Sequence, residues 1–221
     1  DRVIRPLSAI DELQKEIDTP LFAHGILSEN HGFSVNPLAL TQNLSKAIEK
    51  YGVKIYENTA LINFENGTAK TTGGNIKYKK LIMAIDADHP AKEVKNLKST
   101  IAVTRPLTDS ELSATGLAKL KIIFDSKKHY DYFKVTKDRR LLVGFGGVVV
   151  NKKNKKTAPH PRHLATIAKF IKRLFPYLDI EIDYAWSGTF GVTRDYGPLL
   201  EFKENQVSIA GASTQVVCFM T

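Results

Sequence analysis

The chain has 221 residues, of which 43% are hydrophobic and 25% charged, and its formal net charge is +9 at pH 7. This is the composition of a soluble globular protein, and no apolar run reaches the roughly 18 residues of a membrane span, so we expect no membrane contact. A single cysteine, Cys218, excludes an internal disulfide and argues against a cysteine-rich metal site, while the charged N-terminus lacks a secretory signal and predicts a cytoplasmic protein.

The first part of the chain alternates predicted helices with short strands. Ser8 is the expected N-cap of a short helix over 8–17, and a longer helix begins at Asn36-Pro37 and ends at Gly52. Four strands are then predicted, in the runs VKIYE (53–57), TALINFE (59–65), TAKTT (68–72) and IKYKK (76–80). The continuous apolar run LIMAID (81–86) predicts a buried strand, as in a parallel sheet.

The second part is richer in strands. Strand patterns occur in STIAVTRPL (99–107), KIIFDS (121–126), HYDYFKVT (129–136), RRLLVGFGG (139–147), IEIDYAWSG (180–188) and NQVSIAGAS (205–213). Pro161 opens a second strong helix, RHLATIAKFIKRLFP, whose apolar residues lie on one face. These elements predict a mixed fold of the α+β or α/β class, with one domain over 1–94, a second over 95–184, and a return to the first over 185–221.

Familiar site motifs are mostly excluded. The glycines of GFGG (144–147) do not follow the G-x-G-x-x-G spacing, no serine lies in G-x-S-x-G, and no P-loop is present. The six histidines lack metal-ligand spacing, so we expect no metal site. The lysine run NKKNKK (151–156) is typical of a solvated loop, and without interleaved aromatic residues it does not predict nucleic-acid binding.

The stretch WSGTFGVTRDYGPLL (186–200) holds the only tryptophan, among glycines and turn-forming residues. Glycines at 188 and 191 would let the backbone approach a flat ligand, because no Cβ would stand in the way. Asp195 and Gly197-Pro198 predict a turn that follows the strand. A glycine-rich bend around a core tryptophan is the alternative interpretation of the same residues.

Several segments, in this order, resemble the D-amino-acid-oxidase-type superfamily of FAD-dependent oxidoreductases, which includes glycine oxidase, sarcosine oxidase and γ-glutamylputrescine oxidase. They are the helix, hairpin and LIMAID succession up to 86, IAVTRPL (101–107), YDYFKVTKDRRLLVGFGG (130–147) and LFPYLDIEIDYAWSGTFGVTRDYGPLL (174–200). The resemblance runs through nearly all of residues 20–211. It implies a partial FAD-binding, Rossmann-like domain, which the chain leaves and re-enters, and a mixed β-sheet substrate domain with flanking helices.

The resemblance also implies a reaction and a site. The parent protein would oxidise a small amine or amino acid by hydride transfer to FAD, with no catalytic acid–base pair required. The residues that it places on the flavin side are Leu61, Ala84, Trp186, Gly188, Thr189 and Asp195. Those that it places at the substrate are Arg105, Tyr132 and Phe133. Relatives tend to carry Glu where this chain has Arg105, so this cation would either meet a carboxylate or face solvent.

Two departures from the family pattern limit this prediction. The strand, G-x-G-x-x-G and helix that hold the FAD pyrophosphate are missing, so we expect FAD to bind weakly or not at all. The segment after Gly211 lacks the glycines of the family, and the chain opens without Met, which predicts a piece of a longer protein. Two alternatives stay open: a remnant that binds no cofactor or pairs with another chain, and a basic binder of anions or nucleic acid.

Overall fold

The computed structural model describes residues 3–29, 34–119, 122–126, 130–151 and 158–211. The helices are α1 (Ile10–Gln14), α2 (Pro37–Glu49), α3 (Asp109–Thr115) and α4 (Pro161–Leu174). The strands are β1 (Val3–Leu7), β2 (Gly25–Glu29), β3 (Leu61–Glu65), β4 (Thr68–Thr71), β5 (Gly74–Lys77), β6 (Leu81–Ala84), β7 (Lys95–Pro106), β8 (Ile123–Phe124), β9 (Tyr132–Val135), β10 (Arg140–Val150), β11 (Ile182–Val192), β12 (Leu199–Lys203) and β13 (Gln206–Ala210). The lysines at 152–156, Cys218 and the segment after Gly211 lie outside the described residues.

The chain divides into two compact units. Unit 1 contains the described residues up to Ser34 together with Asn96–Phe190, and unit 2 contains Val35–Lys95 and the described residues from Gly191 onward. The domain boundaries predicted near 94 and 184 stay predictions. Residues 3–29, which the sequence analysis assigned to the cofactor-binding domain, belong instead to unit 1, because Leu7, Leu13 and Ile17 are buried in its core.

Unit 1 is built on a five-stranded sheet in the order β11-β7-β10-β9-β8. The β10 strand pairs antiparallel with both β7 and β9. The apolar stripe of α4 is buried in the core of this unit, with Ile167 and Leu174 fully inaccessible. The core also contains Phe133 and Leu141, so the predicted helix and the predicted strands meet as their patterns require.

Unit 2 contains α2 and two three-stranded sheets, in the orders β3-β4-β5 and β12-β13-β6. The first is an antiparallel meander, whose first turn carries Asn66 and Gly67 at positive φ. In the second, β13 pairs antiparallel with β12 and parallel with β6, in the register Ile82↔Val207. The strand and the parallel pairing predicted for LIMAID are therefore confirmed, but its burial is not, since Ile82 is 68% exposed.

Other local expectations were wrong for identifiable reasons. The run VKIYE forms no strand and lies exposed, because no described strand pairs with it. The first helix is shorter than predicted and its N-cap position is Ala9; Ser8 instead donates its backbone N–H to the Glu12 carboxylate. The antiparallel pairing of β1 with β2, across α1, was not predicted, because Pro6 within β1 argues against a strand.

Candidate functional site

The strand β11 carries the tryptophan stretch and combines a half-exposed ring with an open backbone position. Trp186 is 41% exposed, and the neighbouring Ser187 is buried. A Cβ added to Gly188 would meet no atom of the described residues within 4 Å, apart from its two neighbours in the sequence. The φ angle of Gly188 is not in the left-handed region, so neither local packing nor backbone conformation explains a glycine there. Thr189 follows on the same strand within unit 1.

Gly191, in unit 2, has a different role from Gly188. A Cβ added to Gly191 would lie 2.9 Å from Val94 Cγ1 and 3.1 Å from Asp86 Oδ1. Its N–H donates to Asp86 Oδ2 over 2.9 Å. The close approach of the chain's own residues therefore accounts for Gly191, whereas the space at Gly188 is open.

A buried chain of hydrogen bonds fixes the other face of β11 in unit 1. The Ser187 Oγ lies 3.0 Å from Thr100 Oγ1, and Thr100 Oγ1 lies 3.2 Å from His163 Nδ1. These three residues belong to β11, β7 and α4, respectively. The network joins β11, which carries Trp186, to β7 and to the first turn of α4. These hydrogen bonds fix the position of the strand.

The turn that follows β11 in unit 2 is organised by Thr193 and Asp195. Asp195 Oδ1 accepts hydrogen bonds from Thr193 Oγ1 at 2.9 Å and from the Gly197 N–H at 3.1 Å. These bonds, that from the Thr193 hydroxyl first, lower the pKa of Asp195. Tyr196 has a φ of +61°, which the turn imposes. An open groove of about 520 Å³ borders this turn, lined by Glu93, Thr193, Arg194, Asp195, Gly197, Pro198 and Leu199.

Tyr132 and Phe133, predicted at the substrate, are both buried in unit 1. Phe133 is inaccessible, and its ring centroid lies 6.2 Å from that of Phe22 and 6.0 Å from that of Phe170. The Tyr132 ring covers Gly144 so closely that a Cβ there would overlap it. Packing accounts for both positions, so their contact with a substrate stays a prediction.

Arg105 pairs with a carboxylate of its own chain. Its guanidinium donates to Glu111 through Nη1 at 2.9 Å and Nη2 at 2.7 Å, and Nη2 also donates to the Asp179 carbonyl at 2.6 Å. The Arg105 hydrogen bonds, followed by that from the Thr108 N–H, lower the pKa of Glu111 to about 2. Sequence reasoning missed this partner, although Thr108 and Glu111 have the T-x-x-E spacing of a capping box.

Leu61 and Ala84, predicted on the flavin side, lie in unit 2. Leu61 opens β3 and is 39% exposed, and Ala84 ends β6 with its side chain exposed. After β6, Asp86 turns the backbone at a φ of +41°. Of the predicted flavin-side residues, Leu61, Ala84 and Asp195 therefore belong to unit 2, and Trp186, Gly188 and Thr189 to unit 1.

The residues present fit the FAD implied by the resemblance only in part. A flat ring can approach the backbone at Gly188, where the chain leaves the Cβ position open beside Trp186. The phosphates find no matching cradle, because no described strand passes through a glycine-rich turn directly into a helix. Among the described residues, no group of three His, Cys, Asp or Glu side chains is placed to hold a metal ion. Within the same residues, no helix combines the length and apolar character needed to cross a membrane.

The chain is similar in sequence to known oxidoreductases. A family profile described as FAD dependent oxidoreductase (DAO) matches residues 2–219. The chain is 28% identical over 184 residues to gamma-glutamylputrescine oxidoreductase of Escherichia coli (strain K12), covering 79% of this chain and 42% of that protein. It is 30% identical over 177 residues to the probable oxidoreductase OrdL of Rhizobium meliloti (strain 1021), covering 74% of this chain and 39% of that protein.

Solved structures share the fold. The crystal structure of L-proline dehydrogenase from P. horikoshii has a TM-score of 0.73 at 18% identity, covering 95% of this chain and 59% of that chain. Glycine oxidase from Geobacillus kaustophilus has a TM-score of 0.74 at 17% identity, covering 95% and 57%. The chain therefore spans less than two thirds of the length of these proteins.

Proposed function

The chain belongs to the DAO family of FAD-dependent oxidoreductases, and from this premise we propose that it is part of an enzyme that oxidises a small amine or amino acid. The relatives and structural neighbours named above carry γ-glutamylputrescine, L-proline and glycine in their names, which are amines or amino acids. Bound flavin would accept the hydride of the substrate C–H bond. The protein would orient the two reactants and exclude water.

The observation that carries this proposal is the open Cβ position at Gly188 beside the half-exposed Trp186. A glycine that no neighbour requires costs conformational entropy, so its presence in a strand favours a ligand that approaches the backbone. In this proposal Trp186, Gly188 and Thr189 contact the flavin ring. The hydrogen bonds from Ser187 through Thr100 to His163 hold their strand in place.

We further propose that this chain alone is not a competent oxidase. FAD carries two phosphates, and the N–H groups of a glycine-rich helix start would be needed to bind them. The described residues lack that cradle, because no described strand passes through a glycine-rich turn directly into a helix. Contacts of Leu61, Ala84 and Asp195 with flavin, and of Arg105, Tyr132 and Phe133 with substrate, would then depend on the complete enzyme.

The test uses the emission of Trp186, which is the only tryptophan of the chain. Titration of the purified chain with FAD should give weak but saturable quenching, and the Gly188→Val variant should need at least about tenfold more FAD, or about 1.4 kcal/mol. Tyr184→Ala is the matched control, since Tyr184 is a 63% exposed aromatic residue of the same strand. Absence of saturable quenching, or equal quenching of wild type and Gly188→Val, would remove the flavin assignment from this strand.

A further inference from the structure

The hydrogen-bonded chain on the buried face of β11 ends at a histidine. Ser187 Oγ lies 3.0 Å from Thr100 Oγ1, which lies 3.2 Å from His163 Nδ1. Ser187 is 3% and Thr100 is 2% exposed, whereas His163 is half-buried. The two hydroxyl groups are therefore shielded from water, while the imidazole can exchange protons with the solvent.

In the described part of the chain, the two hydroxyl groups have no further hydrogen-bond partners. Ser187 bonds to Thr100, and Thr100 bonds to Ser187 and His163. Each hydroxyl group supplies one proton, and a neutral imidazole has one donor and one acceptor nitrogen. The chain can therefore run in either of two directions, and the protonation state of His163 decides which.

A neutral His163 satisfies both hydroxyl protons. Thr100 donates to the unprotonated Nδ1, and Ser187 donates to Thr100 Oγ1. When His163 is protonated the chain reverses, because Thr100 must accept from Nδ1 and donate to Ser187. The Ser187 proton is then left without an acceptor among the described residues. A buried donor without a partner is destabilising, so protonation of His163 opposes the present position of β11.

The elements packed around His163 carry mostly basic groups. His160 precedes α4, and its ring centroid lies 5.7 Å from that of His163. Lys98 of β7 donates through Nζ to the Ala158 carbonyl at 3.1 Å. The other charged or titratable residues of β7, β10 and β11 are Lys95, Arg105, Arg140, Asp183 and Tyr184, and those of α4 are Arg162, Lys169, Lys172 and Arg173. Because His160 is a histidine of the same turn outside the chain, it supplies a matched control.

We propose that His163 is a positioning residue whose protonation state sets the conformation of β11, so that Trp186 and Gly188 offer their surface to a flat ring only while His163 is neutral. The hydroxyl groups transmit the change, since Ser187 lies between Trp186 and Gly188 in the strand. Histidine is the side chain that commonly changes its charge between pH 5 and 8. The contact with flavin rests on the proposed function, whereas the change in β11 does not.

The experiment follows Trp186 emission and amide hydrogen exchange in β11 between pH 8 and 5, in the full chain without flavin. As the pH falls, the emission maximum should shift to longer wavelength. Exchange of the β11 amides, corrected for its intrinsic pH dependence, should become about tenfold faster. His163→Asn keeps an acceptor near the position of Nδ1 but cannot be protonated, so both changes should vanish. His160→Asn should retain both changes.

Thr100→Val tests the path between the histidine and the strand. Valine has the shape of threonine without the hydroxyl group, so His163 can still be protonated but β11 should no longer respond. Ser187→Ala breaks the chain at its other end and should have the same result. The proposal is overturned if the wild type shows no pH-dependent change, if the change persists in His163→Asn or in both chain-breaking variants, or if His160→Asn also abolishes it.

Titration with FAD separates this inference from the proposed function. The wild type should need about tenfold more FAD at pH 5 than at pH 8 for half-maximal quenching of Trp186, and His163→Asn should need the same amount at both. A pH-dependent emission shift without saturable quenching by FAD would leave the role of His163 standing and refute the flavin contact. Saturable quenching with no pH dependence of emission or exchange would do the reverse.

Discussion

Helices α4 and α2 are similar in length and each carries apolar residues along one face, but they differ in what covers that face. Of the 14 residues of α4, Ile167, Phe170, Ile171 and Leu174 are buried in unit 1. None of the 13 residues of α2 is buried in unit 2. The comparison shows that unit 1 completes its core with its own residues. Unit 2 has a helix, α2, and a strand, β6, whose sequences are suited to burial, and its described residues leave both largely exposed.

The strongest test of this comparison truncates one leucine in each helix. Leu174→Ala removes a fully buried side chain and should cost about 2–5 kcal/mol of the free energy of unfolding. Leu44→Ala removes a side chain that is 58% exposed and should cost less than about 0.5 kcal/mol. Urea titrations followed by circular dichroism measure both. Equal losses would show that α2 is packed as well as α4.

The two glycines of β11 should respond differently to substitution, because other residues of the chain lie close to Gly191 and none of the described residues lies close to Gly188. Gly191→Ala should cost about 1–3 kcal/mol, because the new Cβ would lie 2.9 Å from the Cγ1 of the buried Val94. Gly188→Ala meets open space and should raise the thermal midpoint slightly, because alanine has less conformational freedom to lose on folding than glycine. A loss of stability in Gly188→Ala would contradict the open face beside Trp186.

The Arg105–Glu111 pair predicts a pH dependence for unit 1. Glu111 has a pKa of about 2 in the folded chain, below its ordinary value of 4.5, chiefly because Arg105 donates to it. Between these values the unfolded chain binds more protons, so the stabilisation is present above pH 4.5 and is lost as the pH falls towards about 2. Glu111→Gln should lower the free energy of unfolding by about 1.5 kcal/mol at neutral pH. It should also make that free energy depend less on pH between about 4.5 and 2.

Glu16→Gln is the control for that prediction. The Arg5–Glu16 pair is more exposed, with side-chain exposures of 46% and 23%, so its loss should cost less than about 1 kcal/mol. Stability is measured against pH for wild type and both variants. If the free energy of unfolding of Glu111→Gln falls as steeply in acid as that of the wild type, Glu111 is not the source of the loss.

The N-terminal cap of α2 should contribute less to stability than the Arg105–Glu111 pair. Asn36 caps this helix by accepting the Ala39 N–H at 3.0 Å. Asn36→Ala should cost about 1 kcal/mol, because a first-turn donor loses its partner. Amide hydrogen exchange in α2 measures the change. If Asn36→Ala destabilises α2 more than Leu44→Ala does, local hydrogen bonding rather than packing stabilises this helix in the isolated chain.

The sequence predicted the elements whose patterns are strong. Periodic apolar residues identified α2 and α4, and the continuous apolar run identified β6 together with its parallel pairing. The family resemblance is confirmed by a profile match over residues 2–219. Long periodic segments are predictable because pattern, length and capping residues such as Asn36 agree.

Features that depend on distant partners were not predictable in the same way. The run at 53–57 has strand propensity, but no described strand pairs with it. Pro6 argued against β1, whose antiparallel partner β2 follows only after α1. Burial of Phe133 follows from tertiary contacts that no local pattern shows. Glu111 as the partner of Arg105 did have a local signal, the capping-box spacing of Thr108 and Glu111. Gly188 and Gly191 were given the same role from the sequence. Only the packing around each glycine in the fold distinguishes them.

The uncharged edge of β6 has a further consequence for handling the protein. An exposed apolar strand edge is a template on which chains can add to one another, so the isolated chain should aggregate with increasing concentration while its fold stays intact. Solubility and folding free energy are thus governed by different residues. Ile82→Lys should raise the concentration at which the protein stays monomeric in light scattering, and its melting temperature should not change.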